Sequence, residues 1–308
     1  MAHSLVKNDE DHKGTIALWK DFFAFLDKEY PAAVMVSEWG EADKSLEAGF
    51  QMDFVLHFGP SHYNDLFRCA HPFFAGDGDA SAFVRKYLES MEKSGHKGLI
   101  CIPSGNHDMD RLARTIRGDR AKIAFAFLLS MPGAPFIYYG DEIGMKYVEG
   151  LKSVEGGYVR TGSRSPMAFD TTANAGFSAA KSSMLYIAQD ESKSYINAQT
   201  ELADENSLLN EVRRLLSLRK SHSALGATAK IELLQLEKDS YPLVYKRESA
   251  DETVFALFNP VGQESVVSAA IPDDCEILYT VGKSAHALKR NASGALVLPP
   301  ACAVFLKK

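Results

Sequence analysis

The chain has 308 residues, with 34 Lys and Arg against 40 Asp and Glu and a formal net charge of -6. It lacks the basic excess by which proteins hold polyanions, so nucleic acid is excluded as the expected partner. No apolar run approaches the ~18 residues of a membrane span, and 46% hydrophobic residues with 24% charged are ordinary for a soluble globular chain of two domains.

In chain order, Met1 to Lys7 has no apolar secretory core, so a cytoplasmic location is expected. Asn8-Asp9-Glu10-Asp11 followed by Ile16, Trp19, Phe22, Phe23 and Leu26 predicts an amphipathic helix over 8–30, ended near Pro31. Strands follow at 33–37 and 49–59, helices near 61–71 and 80–95, a strand at 99–103 and a largely buried helix at about 116–131. Another strand, 133–140, ends in Asp141-Glu142, and residues 146–200 are rich in Gly, Ser, Thr, Asn and Tyr, the composition of a long functional loop. A helix over Ser207 to Leu218 closes this part.

Beyond Leu225-Gly226 the pattern changes to short β-rich runs separated by Asn259-Pro260, Pro272-Asp273-Asp274 and Pro299-Pro300. This predicts residues 1–225 as an α/β domain and 226–308 as a small antiparallel β-sandwich. Cys69, Cys101, Cys275 and Cys302 form no Cys-x-x-Cys pair and have no His at zinc-ligand spacing, so reduced thiols and neither metal nor cofactor are expected.

Two of the apolar strands run into polar groups. Ala33 to Val36 continues as Ser37-Glu38-Trp39-Gly40, and Leu99-Ile100-Cys101 continues as Ile102-Pro103-Ser104-Gly105-Asn106-His107-Asp108. Parallel sheets present their chemistry at the carboxyl ends of strands, so Glu38 and Asp108 are candidates for one shared rim.

These segments, with Pro132 to Gly144 and Arg164-Ser165-Pro166-Met167-Ala168-Phe169-Asp170, stand in the order and spacing of the α-amylase family, glycoside hydrolase family 13. Asn174-Ala175-Gly176-Phe177-Ser178 and Tyr195 to Gln199 extend the resemblance, which is strongest to its oligo-α-glucosidase and trehalose-synthase-like branches. It spans nearly the whole chain but only the second half of the family's (β/α)8 barrel, four βα units, plus the C-terminal β domain.

The resemblance implies an α-glucan or maltooligosaccharide substrate, Glu38 as general acid/base and Asp108 as the transition-state-stabilising carboxylate. It implies His107, with Asn106 beside it, as a contact to sugar hydroxyls. Trp39 is either a sugar platform or a packed strand-end indole. Arg111 is either a substrate contact or a salt-bridge partner of Asp108 or Asp110. Arg160 and Arg164 are expected to tie down their loop.

The family's nucleophile motif, Gly-Phe-Arg-x-Asp, does not precede Glu38. Gly49-Phe50-Gln51-Met52-Asp53 copies its shape but follows Glu38, so Asp53 is either a substitute nucleophile or a polar residue of its strand. A half barrel also leaves two unpaired edges and an uncovered apolar face, from which a homodimer or a partner chain is expected. The functions left open are a hydrolase or transglycosylase, and a noncatalytic glucan-binding or split-enzyme subunit.

Overall fold

A computed structural model describes residues 12–151 and 159–308. Four strands, β1 (Val36–Ser37), β2 (Met52–Phe54), β3 (Leu99–Pro103) and β4 (Ala134–Phe136), form one sheet in the order β1-β2-β3-β4, each pair parallel. Parallel neighbours need crossovers, and helices supply them. Helix α1 (Lys13–Glu29) precedes β1, and α2 (Ala42–Ala48) follows it. Helices α3 (Tyr63–Phe67) and α4 (Ser81–Lys93) join β2 to β3, and α5 (Asp119–Ser130) joins β3 to β4.

The strands are shorter than the apolar runs suggest. At β1, which among the described residues has one neighbour, Ala33 and Val34 are exposed, and Met35 turns its amide to the Gln51 Oε1 atom at 2.7 Å. Helix α5 is confined by its ends. Gly118 takes φ +59 before it, and Met131, ahead of Pro132, is extended. The acidic residues 8–11 expected to open α1 lie outside the described residues. Within the described part, Ile16 and Phe23 of α1 pack on Trp39, Ala48 and Phe50.

The segment expected to be a long loop consists of short 3-10 turns and one helix, α6 (Ala198–Ala203); residues 152–158 of it lie outside the described residues. Helix α7 (Leu208–Ser221) follows, its first turn capped by Ser207 Oγ accepting from the Asn210 amide at 3.1 Å. At its other end, Arg219 donates to the carbonyls of Leu129, Met131 and Gly133 at 2.7, 2.8 and 2.8 Å. It thereby satisfies the exit of α5, which has no further turn to receive those bonds.

Eight strands follow: β5 (Lys230–Gln235), β6 (Leu243–Glu248), β7 (Thr253–Asn259), β8 (Ser265–Val266), β9 (Glu276–Val281), β10 (Lys289–Arg290), β11 (Leu296–Leu298) and β12 (Cys302–Lys307). They make an antiparallel sheet β5-β6-β7-β12-β9 and a smaller one, β10-β11-β8. The period of two explains how the larger sheet is buried on both faces. In β7, Val254, Ala256 and Phe258 join the core around α5, while Phe255 and Leu257 point the other way, toward Leu296 and Leu298 of β11. Phe127 of α5 meets Tyr245 and Phe258 with ring centroids 6.4 and 5.8 Å apart, so one apolar core crosses residue 225.

Polar contacts cross it too. Arg247, wholly buried, donates to Gly226, Ala229 and Lys230 carbonyls at 2.7, 3.2 and 3.2 Å and to Ser130 of α5, and burial pulls its pKa down to about 10. Glu252 receives His222 Nδ1 at 2.6 Å, Lys307 Nζ at 2.8 Å and the Ala224 amide at 3.2 Å. Burial alone would raise this carboxyl, but these partners outweigh it and hold its pKa at about 2.

A depressed carboxyl contributes stability above its unfolded pKa and loses it as pH falls through the folded one. Glu252→Gln is therefore expected to lower the unfolding free energy at pH 7 by about 3 kcal/mol, with the gap to wild type closing between about pH 4.5 and pH 2. Urea midpoints at pH 7 and pH 2.5 measure this, and a gap of equal size at both would contradict it.

Among the described residues no helix is long and apolar enough to cross a membrane. The four cysteines are free thiols, Cys101 and Cys302 buried and Cys69 and Cys275 partly so.

Candidate functional site

The carboxyl ends of β1, β2, β3 and β4 converge on a cavity of about 270 Å³. Glu38, Phe54, Asn106, His107, Phe136 and Tyr138 are among its lining residues, so the polar ends of the first and third strands meet in one place. Phe54 and Phe136 pack edge to face across its floor with centroids 4.6 Å apart.

Glu38 is exposed, standing between buried Ser37 and buried Trp39. This alternation follows from the strand: residues 37 and 39 point into the fold and 38 points out of it. Beneath the loop lies Asp53, 1% exposed. Its Oδ1 accepts from Ser37 Oγ at 2.5 Å and the Trp39 amide at 3.0 Å, and its Oδ2 accepts from the Gly40 amide at 3.1 Å. Burial raises the Asp53 pKa, with these hydrogen bonds acting against it. The carboxylate suggested by sequence as a substitute nucleophile thus faces the Ser37 hydroxyl before Glu38 and the Trp39 and Gly40 amides after it.

Trp39, open between two roles in the sequence, is 6% exposed and packs with Ile16, Phe23 and Phe50, its ring 5.5 Å from that of His12. A buried indole offers no face to a sugar ring.

On the other strand end, Asn106 Oδ1 accepts from the Asp108 amide at 2.8 Å, which sets the turn. His107 projects with its side chain 60% exposed, and its carbonyl is held by Arg164 Nε at 2.9 Å. Asp108 Oδ1 is paired with Arg160 Nη1 at 2.8 Å and Arg164 Nη2 at 2.9 Å, with His107 Nε2 at 3.4 Å. The two arginines expected to tie down a loop therefore reach the candidate carboxylate itself, which only the meeting of the 159–164 turn with the β3 exit could show.

Arg111 pairs with neither Asp108 nor Asp110. It is wholly buried, 3.6 Å from Asp141 Oδ1, it donates to the Tyr139 carbonyl, and its guanidinium lies 4.9 and 4.7 Å from the ring centroids of Tyr138 and Tyr139. It has no exposed atom with which to touch a ligand, so the substrate-contact alternative is corrected to a buried ion pair. Burial raises the pKa of Asp141, and Arg111 acts against that rise.

Sequence reasoning passed over three groups at this end of the sheet. Ser104 Oγ donates to Asp141 Oδ2 at 2.8 Å and accepts from the Tyr138 amide at 3.0 Å. Arg68 Nη2 donates to the Ser104 carbonyl at 2.6 Å. His57, just beyond β2, feels the charges of Asp108 and Glu38, and burial lowers its pKa. The signal available for Ser104 was its place as the first polar residue after a buried strand, the same place that Ser37 holds. A second cavity, about 650 Å³, opens beside Arg164 and is lined by Glu142, Phe169, Phe177 and Tyr186. Among the described residues no cluster of three or more His, Cys, Asp or Glu could hold a metal ion.

The family model "Alpha amylase, catalytic domain" matches residues 6–228. The trehalose synthase/amylase of Mycolicibacterium smegmatis is 38% identical over 122 residues, 38% of this chain and 20% of that one. A probable alpha-glucosidase of Rhizobium meliloti is 28% identical over 268 residues, 82% of this chain and 46% of that one. The chain thus spans from a fifth to about half the length of these curated relatives. Among solved structures, an alpha-amylase from H. orenii superposes with a TM-score of 0.73 at 20% identity, over 97% of this chain and 58% of that one. The trehalulose synthase of Pseudomonas mesoacidophila MX-45 superposes with a TM-score of 0.73 at 21% identity, over 96% and 59%. These structures share the fold.

Proposed function

The chain belongs to the α-amylase family of glycoside hydrolases, and from that premise we propose that it binds α-glucans or maltooligosaccharides and supplies the acid/base side of an α-glucosidic bond-cleaving site. The observation that carries this reading is the shared cavity, which brings Glu38 from the first strand to Asn106 and His107 from the third. Glu38 is the general acid/base, giving a proton to the glycosidic oxygen. Asp108, paired with Arg160 and Arg164, stabilises oxocarbenium charge, and His107 and Asn106 hold sugar hydroxyls. Retaining chemistry needs a further carboxylate about 5–5.5 Å from the acid. Asp53 is not that group in our reading, since its oxygens are occupied by the Glu38 loop. Titration of the chain with maltotriose is expected to show saturable heat that His107→Ala removes; no heat with wild type would contradict the substrate assignment.

The second reading is a noncatalytic or split-enzyme subunit that works as a dimer or beside a partner chain. What favours it is the surface around β1, where Leu18 and Phe25 of α1 are 53% exposed and Val34 is 61% exposed. On this reading the four parallel strands are half of a (β/α)8 barrel, residues 226–308 are a β-sandwich, and the open sheet edges are covered by a second copy. Light scattering at micromolar concentration is then expected to give twice the 33.8 kDa protomer mass. A monodisperse monomer would contradict the homodimer.

A further inference from the structure

Ser37 and Asp53 are register partners on adjacent parallel strands, and the serine hydroxyl donates to the aspartate at 2.5 Å. Two strands along, the device recurs: Ser104 leaves β3 and donates to Asp141, which follows β4, at 2.8 Å. Both aspartates are 1% exposed, and each lies against the loop carrying one candidate reactive carboxylate. Asp53 takes the amides on the far side of Glu38, from Trp39 and Gly40. Asp141 fixes Ser104, whose own amide reaches the Phe136 carbonyl at 2.8 Å. The fit is tight at the next residue, because a Cβ on Gly105 would stand 2.6 Å from Asp141 Oδ2 and 3.0 Å from Arg68 Nη2. From there the chain enters the turn that Asn106 closes on Asp108.

A buried carboxylate is costly unless hydrogen bonds satisfy it, and an ionised one is an acceptor at both oxygens. Asp53 sits where N–H and O–H donors converge from one short loop, and no neutral side chain offers two acceptor oxygens there. Asp141 instead takes the Ser104 hydroxyl on one oxygen and has the Arg111 guanidinium 3.6 Å from the other.

We propose that Asp53 and Asp141 are positioning residues, one buried clip under each loop, with Asp53 fixing the direction of Glu38 and Asp141 that of Asn106-His107-Asp108. The assignment rests on the proposed roles of Glu38 and Asp108 for its functional meaning, and on the geometry alone for its placement. Asp53 acts through the amides of Trp39 and Gly40, and Asp141 through the hydroxyl of Ser104.

The test is carboxyl and amide NMR of the full chain, with maltotriose as the probe. Asp53→Asn keeps the shape but turns one oxygen into an N–H donor facing the loop amides. The Glu38 carboxyl carbon and the amides of Trp39 and Gly40 are expected to shift while the His107 and Asp108 signals stay, and Asp141→Asn is expected to do the converse. The Kd for maltotriose should rise about 10-fold in Asp141→Asn, whose loop holds the sugar hydroxyls, and stay unchanged in Asp53→Asn, since Glu38 gives a proton and does not hold the sugar. A structural role would move both loops alike, so equal responses in the two variants overturn the proposal. So does an unmoved Glu38 carboxyl signal in folded Asp53→Asn. If an aspartate variant fails to fold, Ser37→Ala and Ser104→Ala remove one donor each and are read against the same two sets of signals. If wild type does not bind maltotriose, the substrate reading fails, while the selective shifts still decide the positioning roles.

Discussion

Glu38→Gln is expected to lower release of reducing sugar from maltotriose by about 10²- to 10⁴-fold in whatever assembly of this chain turns over, while maltotriose binding is kept. The substitution preserves size and polarity and removes only the transferable proton, so an effect on kcat without one on Kd isolates proton donation from binding. Equal turnover of mutant and wild type would reject Glu38 as the acid/base. Glu38 stands exposed at the rim of its cavity. The assay is therefore run over a range of concentrations at which light scattering reports the oligomeric state. Turnover by the isolated chain, lost in Glu38→Gln, would remove the noncatalytic reading. No turnover in any assembly would favour it.

The largest effect on stability is expected from Arg111→Met, about 3–5 kcal/mol. Arg111 and Asp141 are both buried, 3.6 Å apart, and Asp141 also receives Ser104 Oγ at 2.8 Å. Removing the guanidinium leaves an uncompensated carboxylate in the interior and also takes the packing layer from under Tyr138 and Tyr139. Leaving one member of such a pair costs far more than replacing both. Arg111→Met with Asp141→Leu should therefore lose less than the sum of the single variants in urea denaturation. Strict additivity would show that the two side chains are not coupled.

The main elements were legible because their signals are local. The strand at Leu99–Pro103 and the buried helix at Asp119–Ser130 follow from apolar runs of the right length, and β6, β7 and β12 from short β-rich runs between turns. The α-amylase kinship was legible as well, because its motifs are short and contiguous. Strand lengths were misread at an edge strand, β1, and at an interior one, β2: at the edge, the apolar character of Ala33 and Val34 says that they suit a strand, not that a neighbour is present to pair with them. The open alternatives at Trp39, Arg111 and Asp53 had the same origin, since a residue type does not say which way a side chain faces once its strand is packed.

By itself the sequence determined the family, the order of the parallel strands and of the helices between them except α2, and which polar residues close the strands, since each of these depends on neighbours in the chain. The tertiary structure alone decided partners. It set Arg160 and Arg164 on Asp108, sent Arg111 to Asp141, turned Asp53 beneath the Glu38 loop, and carried one apolar core across residue 225. Burial and hydrogen bonding between residues tens of positions apart depend on how the elements pack, and packing is a property of the whole fold.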